Sequence, residues 1–359
     1  MQKKPTRHEV ARVAGVSPST VSRVLNGNAH VDPAIQSRVM ATATQLGIDL
    51  TKAMQGRMIV FLLGNRDVLH EFQSRILVGA EEYCTNHRWE LLFLSFYYPS
   101  TAASGELNLP QILHRKNTVR GVILGGTNSA NLLLALRERS IPFSVLGNNV
   151  LGEWQADLYD VVSCDDVHGA YEMTAYLLSR RHRHIWYVGN VRLPWFARCF
   201  RGYQRAMAEA GLPPRCSEIR SDRQELGYLA AKSIITSGEP VTAIFAGTDQ
   251  VAHGVYRALR EFNLRIPDDI SVAGFNDTEG AILHPALTTA CAFPQELGRH
   301  LAELVTTRVV SPDLTPRQIS IPTELVRRES VGTSGAMIDS NAQVAAIGGL
   351  PRPKPGSPR

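Results

Sequence analysis

The chain has 359 residues, 44% of them apolar, which is enough for two or three folded domains and excludes a globally disordered protein. Its five cysteines are scattered without a C-x-x-C pair, which argues against a disulfide framework or a zinc site and for a reducing, cytoplasmic location. The net charge of +5 resides in residues 1–57, where eight Lys and Arg stand against three Asp and Glu. A small basic module on a near-neutral body points to a polyanionic partner. No apolar signal region follows MQKKPTRHEVARVAG. No apolar run reaches the roughly 18 residues of a membrane span, so no membrane partner is expected.

Thr6-Arg7-His8-Glu9 reads as a capping box, and Val10, Ala11, Val13 and Ala14 then give a helix with an apolar face. Gly15 can stop that helix in a left-handed conformation. Ser17 as N-cap and Pro18 at the first position start a second helix, with Val21, Val24 and Leu25 on one side and Asn26-Gly27 at its end. A third helix is predicted from about Asp32-Pro33 to Leu46, with Ile35, Val39, Ala43 and Leu46 inward and Gly47 closing it. Three short helices, the first two joined by a Gly-containing turn, make a helix-turn-helix. The small residues Ser17, Pro18, Ser19, Thr20 and Ser22 would let the start of the second helix enter a major groove. Pro18 and Ser19 would meet base edges, and Arg23 would read a guanine or clamp a phosphate.

At this point HEVARVAGVSPSTVSRVLNGNAHV resembles the start of the LacI/GalR family of bacterial transcriptional regulators. The family pattern D-V-A-x-x-A-G-V-S-x-x-T-V-S-R-V-L-N is matched from Val10 to Asn26, with Glu9 in place of its Asp. The DNA contacts expected are Thr6, Ser17, Pro18, Ser19, Thr20, Ser22, Arg23, Asn26 and His30, with Met54 of the linker as a minor-groove wedge beside Ala53. The linker GIDLTKAMQGRMIVF is several residues shorter than the family's usual segment.

Beyond residue 57 the pattern changes. Apolar, β-rich runs at 58–64, 89–96, 121–126, 142–148, 161–165, 184–189, 242–247 and 271–275 alternate with helical stretches near 70–87, 129–139, 167–180, 197–210, 224–237 and 249–262. Such alternation implies parallel sheets covered on both faces, in one sheet or two. The segments DDVHGAYEMTAYLLSRRHRHIWYVG, FRGYQRAMAEAGL, TAIFAGTDQVAHGVYRALREFNLRIPDDISVAGFND and PALTT…ELGRHLAEL are similar to the family core. That resemblance implies two doubly wound parallel-sheet subdomains, like a periplasmic sugar-binding protein, joined by three crossovers with a ligand between them.

The expected organisation is a small all-α helix-turn-helix head over residues 1–50, a linker over 51–57, an α/β core over 58–330 and a disordered tail over 331–359. Within the core, one subdomain takes 58–161 and 292–323, and the other takes 162–291 and 324–330. Ligands in open α/β sheets sit beyond the carboxyl ends of the strands. The loops there nominate His70, Phe72, Asn148, Trp195, Arg198, Asp249, Asn276 and Asp277 as effector contacts, with Trp195 and Arg198 in the loop spanning Asn190 to Arg198. Against the family pattern, Cys199 holds the position of a ligand-gripping Arg, and His70-Glu71-Phe72 occupies the place of Asn-Pro-Phe-Phe.

The function expected is a sequence-specific DNA-binding repressor, acting as a homodimer on a pseudo-palindromic operator. A small, carbohydrate-like effector or related metabolite would modulate it. A solute-binding protein of a transport system is the alternative, and the basic head argues against it. No G-x-S-x-G, G-x-G-x-x-G, P-loop or H-E-x-x-H is present, so no catalytic residue, metal or cofactor is expected.

Overall fold

The computed structural model describes residues 7–25, 31–46, 57–66, 70–115, 118–221 and 223–334. The head contains α1 (Arg7–Ala14), α2 (Pro18–Leu25) and α3 (Pro33–Gln45). Their apolar faces meet in one small core of Val10, Ala11, Ala14, Val21, Val24, Val39 and Ala43, and Ile35 and Leu46 pack at its edge. Gly15 takes φ +66, the left-handed turn that its lack of a Cβ permits. Ser17 Oγ accepts from the Thr20 amide at 3.0 Å, and Asp32 Oδ1 accepts from the amides of Ala34 at 2.7 Å and Ile35 at 3.3 Å. Both caps satisfy amides that the first turn of a helix leaves unpaired. Thr6 of the expected capping box, the Asn26-Gly27 stop and Gly47 lie outside the described residues.

The core holds two six-stranded sheets. The first contains β1 (Met58–Gly64), β2 (Glu90–Phe96), β3 (Val119–Gly126), β5 (Phe143–Leu146), β7 (Asp160–Cys164) and β13 (Gln318–Ile321). Its order is β13-β7-β5-β3-β1-β2, and every pairing is parallel. The second contains β8 (Ile185–Val188), β9 (Arg215–Cys216), β10 (Ala243–Ala246), β11 (Ser271–Asn276), β12 (Thr288–Cys291) and β14 (Glu324–Val326). Its order is β14-β12-β11-β10-β8-β9, parallel except that β14 runs against β12. A two-residue ladder joins β4 (Asn128–Ser129) to β6 (Val150–Leu151).

The helices that cover the sheets are α4 (Glu71–Asn86), α5 (Ala130–Glu138), α6 (Asp166–Ser179), α7 (Pro194–Glu209), α8 (Gln224–Thr236), α9 (Asp249–Glu261) and α10 (Pro294–Val310). Glycines set how closely they pack. A Cβ on Gly79 of α4 would lie 1.9 Å from the Gln295 carbonyl oxygen, and one on Gly298 of α10 would lie 1.9 Å from that of Ile76. The two helices therefore touch backbone to backbone.

Three differences from the sequence expectation have physical causes. β7 continues to Cys164, so the first crossing between sheets follows Cys164 rather than 161; the chain crosses again after Cys291 and after Ile321. α7 begins at Pro194 rather than near 197, because a proline at the first helical position loses no hydrogen bond. The expected disordered tail is ordered at its start: Val331 is buried, the Gly332 amide donates to Ser271 Oγ at 3.1 Å, and the Ser334 amide donates to the Arg180 carbonyl at 2.9 Å. Those contacts give 331–334 partners on the second sheet and its flanking helix; the remainder of the tail lies outside the described residues. Among the described residues no helix is long and apolar enough to cross a membrane.

Candidate functional site

The leading edge of α2 is a cluster of hydroxyls. Ser17 Oγ lies 2.7 Å from Ser19 Oγ and 2.8 Å from Thr20 Oγ1, and Ser17, Pro18 and Ser19 are exposed. The cluster caps the helix and remains open on its outer side, so it can meet phosphates or base edges. Ser22 and Arg23 fall within α2. Thr6, Asn26, His30 and Met54 lie outside the described residues.

The second site is a cleft at the carboxyl ends of the strands, enclosing about 710 Å³ of non-atom space, part of it open solvent. His70 and Phe72, at the start of α4, line it from the first sheet's side, and Trp195 and Asn276 line it from the second's. Asn148, also on the wall, follows β5. These five expected contacts come together. The other three stand behind the wall and hold it.

Arg198 is one of these. With Trp195 it lies on the first turns of α7, not in a loop, because the helix starts at Pro194. Its Nε donates to both oxygens of Asp166 at 2.9 Å, and its Nη2 donates to the Asn148 carbonyl at 2.6 Å. Asn148 uses both ends of its amide: Oδ1 accepts from the Cys164 amide at 2.9 Å, while Nδ2 donates to the Cys164 carbonyl at 2.9 Å and to Asp166 Oδ2 at 2.8 Å. Burial pushes the Asp166 carboxyl above the ordinary carboxylate range, against the pull of Arg198 and Asn148.

Asp249, the second, is fully buried at the start of α9, where Thr248 Oγ1 caps the Val251 amide. Its Oδ1 accepts from Thr289 Oγ1 at 2.6 Å, and its Oδ2 from the amides of Thr278 at 2.7 Å and Glu279 at 3.3 Å. It therefore shapes the cleft through the 278–279 loop. Asp277, the third, forms a two-oxygen pair with Arg328 at 2.7 and 3.0 Å. The turn that carries it has positive φ at both Asn276 (103°) and Asp277 (54°).

Asp166, Gln250, Thr278 and Glu279 also line the cleft and do not stand out in the sequence. The signal that could have found Asp166 is its place after a strand's carboxyl end; that place is also the crossing between sheets, which reads as a connection rather than a ligand loop. Cys164 and Cys199 line the same wall, and burial pushes both thiols far up, so they stay protonated. Two contacts bridge the cleft. The Arg66 guanidinium lies 4.8 Å over the Trp195 ring, and Arg75 Nη2 donates to the Thr278 carbonyl at 2.5 Å.

Comparison with known proteins falls into the same two parts. Residues 6–48 match the model for bacterial regulatory proteins of the lacI family, and residues 174–331 match a periplasmic binding protein-like domain. The ribose operon repressor of Haemophilus influenzae is 29% identical over 91% of this chain and 98% of its own length. Among solved structures, a transcriptional regulator CelR–cellobiose complex superposes with a TM-score of 0.66 at 24% identity, over 91% of this chain and 99% of that one. The lac repressor dimer bound to operator and the anti-inducer ONPF superposes with a TM-score of 0.68 at 20% identity, over 92% of this chain and 100% of that one. At these identities the structural likeness is one of fold.

Proposed function

The chain belongs to the lacI family of bacterial regulatory proteins, and from that premise we propose a transcriptional repressor whose grip on operator DNA changes when a small molecule fills the cleft. The observation that carries the reading is the cleft itself: it takes walls from both sheets and is bridged by Arg66–Trp195 and Arg75–Thr278. A molecule bound there changes how the sheets sit against one another, and the head is tethered to the same core. A coupling of roughly 1–3 kcal/mol changes operator affinity about 5–150-fold.

The protein acts as a homodimer. One helix-turn-helix reads only a few base pairs, and two held by a symmetric core read half-sites about one helical turn, ~34 Å, apart. The edge strand β2 exposes Leu92 and Phe93, and Val78 and Ile282 are exposed as well, so the core has apolar surface for a second copy to cover. The DNA-reading set is Ser17, Pro18, Ser19, Thr20, Ser22 and Arg23 with Thr6, Asn26 and His30, and Met54 serves as the wedge. The effector is a sugar or related metabolite, in keeping with a relative named for the ribose operon and a fold neighbour holding cellobiose. The protein is a binding device and not an enzyme.

Selection of binding sites from random duplexes at a fixed salt concentration, with and without a metabolite pool, tests the proposal. Enrichment of a two-half-site sequence whose affinity shifts with the pool is expected. Failure to enrich any sequence above scrambled competitor overturns the DNA-reading function.

A further inference from the structure

Each guanidinium around the cleft is already set against a protein acceptor or a ring. Arg198 gives Nε to Asp166 and Nη2 to the Asn148 carbonyl. Arg75 gives Nε to Glu71 at 3.0 Å and Nη2 to the Thr278 carbonyl. Arg66 donates from Nε to Thr127 Oγ1 at 3.1 Å and covers Trp195. Arg328, farther back, is held by Asp277.

The acceptors are in the opposite condition. Glu279 lines the cleft, and its Oε2 is shut off from solvent with no hydrogen-bond partner among the described residues. Native structures leave few buried polar atoms in this state, and a bound molecule is one ordinary source of the missing donor. The Asp166 carboxylate lies on the same wall, and Phe72, Trp195 and Phe275 supply flat apolar surface.

We propose that the effector is an uncharged or cationic metabolite, rich in O–H or N–H donors and carrying a flat apolar face, and that Glu279 accepts from one of its donors. The inference rests on the reading of the cleft as an effector site. A phosphorylated or carboxylated compound would bring its anion against Glu279 and Asp166 in a partly desolvated space, while the nearby guanidinium groups are engaged elsewhere.

The test uses the full chain on a duplex obtained by site selection. A bacterial metabolite extract is divided on an anion exchanger into a flow-through, holding uncharged and cationic compounds, and a retained anionic fraction. Operator affinity is then measured with each. The flow-through is expected to change it by at least about fivefold, within the ordinary range of such couplings, and the retained fraction to leave it unchanged. A response confined to the retained anions overturns the inference and leaves the effector-site reading standing. A response to neither fraction overturns that reading, and the inference with it. Glu279→Gln should raise the half-effective amount of the flow-through about tenfold, as expected for loss of a charge-assisted hydrogen bond. Ligand-free operator affinity and thermal midpoint serve as folding controls. An unchanged half-effective amount removes Glu279 from the contact.

Discussion

Arg198 and Asp166 meet through Nε at 2.9 Å from each carboxylate oxygen, and this contact ties α7 to the point where the chain first crosses between sheets. Asp166 is 4% exposed, so its charge is tolerated only because Arg198 and Asn148 compensate for lost water. Arg198→Ala should therefore destabilise the core by about 3–5 kcal/mol, the usual loss when one partner of a buried pair is removed. The loss should be greater in mildly alkaline than in mildly acidic solution, because protonation relieves an unpaired buried carboxylate. Urea unfolding at the two pH values checks this; a loss independent of pH would show that Asp166 is not the group left behind.

Asp249 predicts a second pH effect. Burial pushes its carboxyl up to about 7, despite the hydrogen bonds from Thr289 and the 278–279 amides. Its unfolded value is about 3.9. A pKa raised on folding gives stability that is complete below the unfolded value and is lost as pH rises through the folded one. Wild type should therefore lose stability relative to Asp249→Asn as pH rises from about 4 to about 7, by on the order of a few kcal/mol. Parallel denaturant curves at several pH values test it, and a constant difference between the two proteins would refute it.

Gly79 and Gly298 hold α4 and α10 at backbone contact. Gly79→Ala must push the helices apart, since its Cβ would lie 1.9 Å from the Gln295 carbonyl oxygen. A cost of about 1–3 kcal/mol or more is expected from overpacking. Exposed Gly105, where an added Cβ would meet nothing within 4 Å, should accept Ala within about 0.5 kcal/mol and serves as the control. Equal thermal midpoints for the two variants would contradict the close crossing.

In the head, folding and reading should separate. Asp32→Ala removes the cap of α3 and should cost about 1 kcal/mol of head stability. Arg23→Ala should leave the helices intact and weaken specific binding by about 1–3 kcal/mol if Arg23 grips a guanine. Circular dichroism melts and fluorescence anisotropy on the selected duplex distinguish the two; an Arg23 variant with full operator affinity would remove that residue from the reading set.

The head was legible because its signals are local. Ser17, Gly15 and Asp32-Pro33 act within one helical turn, and Val21 and Val24 reveal their shared face by spacing alone. The core strands could be read for a similar reason: strands buried on both faces are nearly continuous apolar runs. That same continuity hides their neighbours. Nothing in the run VVSC indicates that Val161 pairs with Gln318, or that β14 reverses direction beside β12.

The cleft was half legible. Its wall lies at the carboxyl ends of parallel strands, so the loops there could be nominated in advance. Whether a given side chain faces the ligand or braces the wall depends on partners far along the chain. Asp249 turns inward to Thr289, 40 residues away, and Asp277 turns to Arg328, 51 residues away.

Residue order alone determined the three-helix head, the basic charge it carries and the alternation of strand with helix, since each arises from propensity and periodicity within a few neighbours. Tertiary structure decided the sheet order, the ordering of 331–334 and the division of the polar loop residues into cleft-facing and wall-bracing groups. Those outcomes depend on contacts such as Arg308 with Asp160, 148 residues apart, whose formation requires the whole core to close.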